Sequence, residues 1–120
     1  MLNQVIIMGR LTRDPESRTT QSGEDVTSFS VACERDTAKR ETDFIDIVAW
    51  RKTAEFVQRY FRKGDMIAVS GRLQIREWTD KAGAKRRNAE VVADHAYFAA
   101  SKRQESVDFS PLPESEEVPF

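Results

Sequence analysis

Apolar and polar residues alternate along most of the first hundred positions, and turn signals separate the alternating runs. A period of two is typical of β-strands with one buried face. The runs that predict strands cover residues 5–11, 26–35, 43–50, 67–78 and 86–98. Turn residues, such as Asp14 with Pro15 and Gly83, lie between runs, as expected for short strands joined by tight connections.

Two of these runs have faces of different character. In the third run, one face consists of Ile45, Ile47 and Ala49, and the other consists of Phe44, Asp46, Val48 and Trp50. In the fourth run, the predicted core face consists of Ile67, Val69, Leu73 and Ile75. The opposite face of the fourth run consists of Ser70, Arg72, Gln74, Arg76 and Trp78. We expect the faces that carry Phe44 and Trp78 to point to solvent.

The period changes once, between residues 53 and 63. There Ala54, Val57 and Phe61 recur at helical spacing, which predicts an amphipathic helix. Thr53 is the predicted N-cap, and Gly64 is the predicted stop after the helix.

The order of elements predicts an all-β fold. Three strands, one helix and two strands are typical of the OB-fold, a five-stranded Greek-key barrel with its helix between the third and fourth strands. An SH3-like barrel or a small β-sandwich has the same pattern. We expect this domain to span residues 1–103. Residues 104–120 hold three prolines and five acids, and we expect them to form a disordered acidic tail.

Charge and composition narrow the function. The net charge is −1, but the tail has no Lys or Arg, so the rest of the chain carries a positive excess of four. Opposite charges on the two parts favour a body that meets polyanions and a tail that meets basic surfaces. Cys33 is the only cysteine and His95 is the only histidine of the sequence. We therefore expect no internal disulfide and no zinc site, and we expect Cys33 to have a packing role.

Catalysis is not indicated by any motif. There is no phosphate-binding loop and no nucleophile elbow. Asp43 and Asp46 are the best carboxylate pair, but their spacing directs them to opposite faces of a strand. We therefore expect no catalytic residue, metal or cofactor. No apolar run approaches the ~20 residues of a membrane span, and Met1 is not followed by a signal peptide pattern, so we expect a cytoplasmic protein.

Aromatic and basic residues together predict a nucleic-acid surface. Phe44, Trp50 and Trp78 are candidates for stacking on unpaired bases. Trp50 borders the helix, and a core or interface position is the alternative for it. The candidate phosphate contacts are Arg10, Arg35, Lys39, Arg40, Arg51, Lys52, Arg72, Arg76, Lys81, Lys85, Arg86 and Arg87. Any one of these can instead be ordinary solvated surface, and the prediction concerns the set.

Several motifs in order resemble bacterial and phage single-stranded DNA-binding proteins over residues 2–99. They are LNQVIIMGRLTRDPE at 2–16, VTSFSVA at 26–32, DFIDIVAW at 43–50 with AE at 54–55, KGD at 63–65, GRL at 71–73, WTD at 78–80 and EVV at 90–92. The resemblance implies an OB-fold, usually in a homotetramer that wraps single-stranded DNA. It also implies base stacking at Phe44, Trp50 and Trp78. The chain departs from the family at residues 34–40, where the loop is short and lacks an aromatic residue.

The end of the chain also resembles the family's acidic tip, with Glu116, Glu117, Val118, Pro119 and Phe120. A terminal Phe can fill an apolar pocket while its carboxylate meets an arginine. This implies recruitment of replication, repair and recombination proteins; a merely solubilising end is the alternative. A second hypothesis for the domain is an OB module that binds structured RNA or acts as a replication-restart adaptor.

Overall fold

Seven elements follow one another along residues 1–99, the part of the chain that this computed structural model describes. They are β1 (Val5–Leu11), β2 (Glu16–Thr19), β3 (Asp25–Glu34), β4 (Thr42–Trp50), α1 (Arg51–Tyr60), β5 (Met66–Thr79) and β6 (Lys85–Phe98). Five of the strands match the predicted runs. β2 is additional: its four residues are all exposed and none is apolar, so no alternation marked it. The predicted tail and its boundary at residue 103 lie outside the described residues.

The strands close into a barrel. Their order is β1-β5-β6-β4-β3-β2, and a further pairing of β1 with β3 closes five of the strands into a ring, with β2 added on the outer part of β3. All neighbours are antiparallel except β4 and β6, which run parallel from Ile47↔Val91 to Ala49↔Ala93. A closed five-stranded barrel with this order and a helix after the third barrel strand is the OB-fold. The predicted fold class is confirmed, and the sandwich and SH3-like alternatives are wrong.

The core lies inside this barrel, and α1 closes one end of it. Phe29, Ile47 and Ile67 are buried on the inner faces of their strands, and Val57 and Phe61 are buried from the helix side. Burying each such side chain contributes about 1.5–3 kcal/mol. The inward face predicted for the third run is therefore correct for Ile47 and Ala49, and Ile45 packs at its rim.

The helix begins and ends earlier than the sequence predicts. Its N-cap is Trp50, with no side-chain cap, and Thr53 instead donates from Oγ1 to the carbonyl of Asp94 at 3.1 Å. At the other end Phe61 is already extended, with φ of −120°. The extended residue is fully buried, so packing of Phe61 ends the helix before Gly64, which lies in the following turn with φ of +91°.

The predicted core face of the fourth run is wrong at its far end. Ile67 and Val69 are buried, but Leu73 is 43% exposed and Ile75 is 51% exposed. The pairing of β1 with β5 stops at Val5↔Gly71, and beyond it β5 pairs only with β6. The β5–β6 hairpin therefore projects past the barrel, and no second layer from residues 1–99 covers its inner side.

Gly71 lies at the base of this projection. The register between β5 and β6 shifts there, because Ser70 pairs with His95 while Gly71 pairs with Ala93. The extra residue on β6 is Asp94, so the irregularity is a β-bulge. A side chain at position 71 would collide with the carbonyl group of Val92. A glycine is required where the hairpin leaves the barrel.

Candidate nucleic-acid interface

One outer face of the sheet collects the predicted stacking residues. Val48 of β4 is the partner of Val92 of β6, and Val92 is also the partner of Arg72 of β5. Partners share a face, and every second residue along a strand does too. The face of β4 with Phe44 and Trp50 is thus continuous with the face of β5 that bears Arg72, Arg76 and Trp78.

Phe44 and Trp78 stand clear of the core on this face. Phe44 is 70% exposed and Trp78 is 48% exposed. Large aromatic side chains are costly to leave in water without a partner, so exposed rings on one face indicate a surface that binds something flat and partly apolar. Both rings lie on the solvent side, as the alternation predicted.

Trp50 has a more sheltered position. It is partly buried against the small apolar cluster of Val26, Val48 and Val92. It also lines an open groove of about 860 Å³, together with Arg51, Lys52 and Arg72. The ring therefore has packing support and an accessible groove beside it, so the stacking role and the packing role predicted for Trp50 are compatible.

Five of the predicted phosphate ligands carry a carboxylate partner. The pairs join Arg35 to Asp43, Arg51 to Glu24, Arg76 to Glu90, Arg86 to Asp80 and Arg87 to Glu77. Arg87 and Glu77 are also register partners, on the opposite face of the hairpin from Trp78. The charge of these arginines is partly compensated within the protein, so the basic surface is weaker than a count of arginines suggests.

The remaining predicted phosphate ligands are not ion-paired within residues 1–99. Arg10 donates to the carbonyl of Gly64 at 3.0 Å, and Arg72 donates to Gln74 at 3.1 Å. Arg10 and Phe44 lie side by side across the sheet on the same face, because Ala32 of β3 is the register partner of both. Within the described residues no side-chain partner is seen for Lys39, Arg40, Lys52, Lys81 and Lys85.

Arg18 is a basic residue of this face that the sequence did not single out. Its Cα partner is Val26 of β3, and the partner of Val26 on β4 is Trp50. Arg18 therefore lies on the same outer face as Trp50, two strands away, on the edge strand of the sheet. No signal in the sequence marked it, because β2 shows no alternation that assigns its residues to faces.

The loop between β3 and β4 is held by the carboxylate of Asp43. Arg35 donates from Nε and Nη2 to both of its oxygens at 2.9 to 3.2 Å. This pairing with Arg35 lowers the pKa of Asp43 below its ordinary value. Arg35 is consequently engaged in closing the loop, and its guanidinium meets a phosphate only if that pairing rearranges.

Cys33 lies next to this pair and is not activated. Its Sγ donates to the carbonyl of Met8 at 3.4 Å. Burial and the charge of Asp43 both raise the pKa of the Cys33 thiol. The thiol is the less reactive form of cysteine, so these contacts agree with the packing role expected for Cys33. Among residues 1–99, no group of three or more His, Cys, Asp or Glu side chains could hold a metal ion.

The chain turns sharply between β4 and α1, at the edge of the groove. Arg51 has a φ of +55°, a conformation that side-chain-bearing residues rarely adopt. Its Nε donates to Glu24 at 2.7 Å. This turn brings Arg51 and Lys52 to the groove beside Trp50.

The sequence of this chain is similar to the sequences of known single-stranded DNA-binding proteins. A sequence model of the single-strand binding protein family matches residues 2–99. Single-stranded DNA-binding protein 1 of Staphylococcus aureus strain MSSA476 is 48% identical over 106 residues, which cover 85% of this chain and 68% of that protein. The single-stranded DNA-binding protein of Caldanaerobacter subterraneus is 44% identical over 106 residues, covering 85% of this chain and 71% of that protein.

A third relative, the single-stranded DNA-binding protein of Oceanobacillus iheyensis, is 42% identical over 106 residues, covering 85% of this chain and 66% of that protein. The names of these three relatives describe DNA binding, and none of them names an enzymatic activity. The one helix of the described residues, α1, is neither long nor apolar enough to cross a membrane. The match over residues 2–99, together with these identities, establishes that the chain belongs to the single-strand binding protein family.

Proposed function

We propose that this protein binds single-stranded DNA without sequence preference and without chemical change. The observation that carries the proposal is the outer face on which Phe44 and Trp78 are exposed and Trp50 borders an open groove. Every base has a π-face, and stacking on an aromatic side chain contributes about 1–3 kcal/mol per base. Because duplex DNA keeps its bases within the stack, a surface of this kind selects unpaired strands.

Basic side chains along the same face support the backbone part of the binding. Arg72 and Arg76 alternate with Gln74 on the face of Trp78, and Arg10 lies in the row of Phe44. Contacts of this kind release counterions from the strand, so affinity falls as salt rises. Single strands and duplexes both carry phosphates, so the aromatic residues supply the discrimination and the basic residues supply a general attraction.

Fluorescence titration with oligo-dT tests this function, because both tryptophans of the chain are in the proposed site. We expect quenching that saturates, that weakens with added salt and that is similar for mixed-sequence oligomers. A duplex of the same length is the control, and we expect much weaker binding to it. Equal affinity for duplex and single strand would contradict the proposal, as would a clear preference for a matched RNA oligomer.

We further propose that copies of the chain associate through the outer side of β1, with a homotetramer as the expected state. Ile6 and Met8 are exposed there, and they pair with Ser70 and Ala68 of β5. Tyr97, the partner of Ala68 on β6, is also exposed. An apolar patch of this kind on a sheet favours self-association.

Sedimentation velocity tests the association. Replacing Ile6 and Met8 by Glu should shift the protein toward smaller species, while Gln58→Glu on α1 is a control for added charge. A wild-type protein that sediments as a monomer at micromolar concentration would refute the association.

The acidic tip is proposed to recruit replication, repair and recombination proteins, in the cytoplasm at the nucleoid. Glu116, Glu117, Val118, Pro119 and Phe120 lie outside the described residues, so this part rests on the sequence pattern. Deleting residues 115–120 should leave affinity for oligo-dT unchanged or slightly higher, because a competing polyanion is removed. The same deletion should abolish capture of helicases and exonucleases, and unchanged capture would contradict the role of the tip.

A further inference from the structure

The tip of the β5–β6 hairpin is organised around the carboxylate of Asp80. Its Oδ1 accepts the backbone N–H groups of Ala82 at 3.0 Å and Ala84 at 2.9 Å. Backbone hydrogen bonds from Asp80 to Ala84 and from Gly83 to Asp80 close the same turn. The Asp80 side chain is only 18% exposed, although it lies at the end of a projecting hairpin. This carboxylate is thus fixed in position before any ligand arrives.

The second oxygen of Asp80 holds an arginine. Arg86 donates from Nε to Oδ2 at 2.9 Å, and Arg86 is the Cα partner of Trp78 on the same face. A guanidinium is planar, so fixing its Nε also sets the direction of its two Nη nitrogens. Among residues 1–99, no partner is seen for either Nη nitrogen of Arg86.

We propose that Asp80 is a positioning residue that holds Arg86 beside the ring of Trp78, so that a nucleotide stacked on Trp78 has its phosphate bound by Arg86. This proposal rests on the single-strand binding proposed above. A free arginine side chain loses rotamer freedom when it is fixed by a ligand. Asp80 imposes much of that order during folding, so less is lost when DNA binds.

If Asp80 positions Arg86, removing the charge of Asp80 should change DNA affinity in the direction opposite to that expected from charge repulsion. Asp80→Asn removes a negative charge close to a bound polyanion. The loss of repulsion between that charge and the DNA phosphates would by itself make binding tighter. The amide oxygen of Asn still accepts the two backbone N–H groups, so the turn is retained while the ionic contact with Arg86 is lost. We expect weaker binding to oligo-dT, by about 3- to 10-fold, which is the loss of part of one charge-assisted contact.

Titration with oligo-dT in a Trp50→Phe background tests this, because Trp78 is then the single tryptophan. Asp80→Asn, Arg86→Gln and the double variant complete a cycle. We expect Arg86→Gln to weaken binding about 10-fold and to lower the salt slope by about 0.7, the value for one phosphate contact on a single strand. With Arg86 already replaced, Asp80→Asn should cause no further loss.

The matched control is Glu77→Gln, which removes the carboxylate that pairs with Arg87 at 3.4 Å on the opposite face of the hairpin. It should leave affinity unchanged or slightly raise it. Thermal unfolding of each variant checks that the fold is intact. Unchanged or tighter binding of Asp80→Asn overturns the proposal, and so does an unchanged salt slope in Arg86→Gln. In either case saturable quenching of Trp78 would leave the proposed function standing, whereas absence of quenching in the parent protein would remove that function itself.

Discussion

Asn3 and Leu73 exchange two hydrogen bonds across the end of the barrel. The Nδ2 of Asn3 donates to the Leu73 carbonyl at 2.9 Å, and the Leu73 N–H donates to the Oδ1 of Asn3 at 2.9 Å. Backbone pairing of β1 with β5 stops at Val5↔Gly71, so the side-chain amide of Asn3 takes the place of one further backbone pair. It attaches Leu73, near the base of the projecting hairpin, to the barrel.

Replacing Asn3 by Ala should loosen the base of the hairpin. Two exposed hydrogen bonds are lost, and we expect the free energy of unfolding to fall by about 1 kcal/mol. Hydrogen exchange of the Leu73 amide should accelerate in the same variant. Asn3→Asp is the matched control, because its carboxylate still accepts from the Leu73 N–H and should preserve the protection of that amide. Unchanged exchange at Leu73 in Asn3→Ala would show that the bond does not anchor the hairpin.

Replacing Trp78 by Ala should weaken binding to oligo-dT by about 1–3 kcal/mol, the contribution of stacking one base. The ring is half exposed and packs little against the core, so stability should change much less than affinity. Ile75→Ala is the control, since Ile75 is similarly exposed on the opposite face of the same strand. Fluorescence anisotropy of labelled oligo-dT measures both. Equal losses in the two variants would remove Trp78 from the binding surface.

The sequence predicts on which face of a strand each residue lies better than it predicts whether that face is covered by the rest of the protein. Alternation correctly assigned Phe44 and Trp78 to the solvent side, because the period of a strand is local. The same alternation assigned Leu73 and Ile75 to the core, which is wrong. Their face continues that of Val69, but the barrel ends near Gly71, and how far a barrel extends depends on the pairing of β1 with β5.

The sequence does not predict which arginines are paired with carboxylates, for a similar reason. The carboxylates of Asp80 and Glu90 lie against Arg86 and Arg76, respectively. The second of these contacts follows from the register of β5 with β6 within the hairpin, which the turn at Asp80 sets. A list of basic residues contains none of this information. It therefore identified a basic surface but not which arginines are already paired.

Replacing Arg51 by Gly should stabilise the protein, although it removes an ion pair. A non-glycine residue with φ of +55° carries about 1–3 kcal/mol of backbone strain, which Gly does not. The ion pair with Glu24 is exposed, and such pairs contribute about 0–1 kcal/mol. We expect a net gain of about 0.5–1 kcal/mol in urea unfolding. Arg51→Gln is the control that loses the ion pair and keeps the strain, so it should be less stable than Arg51→Gly; the reverse order would contradict the account.

The pairing of Arg35 with Asp43 should make stability depend on pH at the acid end. Because Arg35 lowers the pKa of Asp43 below 3.8, folding favours the ionised carboxylate. The contribution of the pair is therefore fully present above the pKa of the unfolded chain, and it is lost as pH falls through the lower native pKa. Asp43→Asn should be less stable than the wild type near neutral pH, and the difference should shrink below about pH 4.

Chemical unfolding at a series of pH values measures this difference. Asp46→Asn is the control, because Asp46 is an exposed carboxylate of the same strand with no ion pair among residues 1–99. The same change should loosen the guanidinium of Arg35 at neutral pH, since its closer carboxylate partner becomes a neutral amide and only the longer contact with Glu41, at 3.7 Å, remains. Affinity of Asp43→Asn for oligo-dT should then rise, and its salt slope should steepen by up to about 0.7 if Arg35 gains a phosphate contact. A stability difference that stays constant down to pH 2 would show that the ion pair does not contribute through the charge of Asp43.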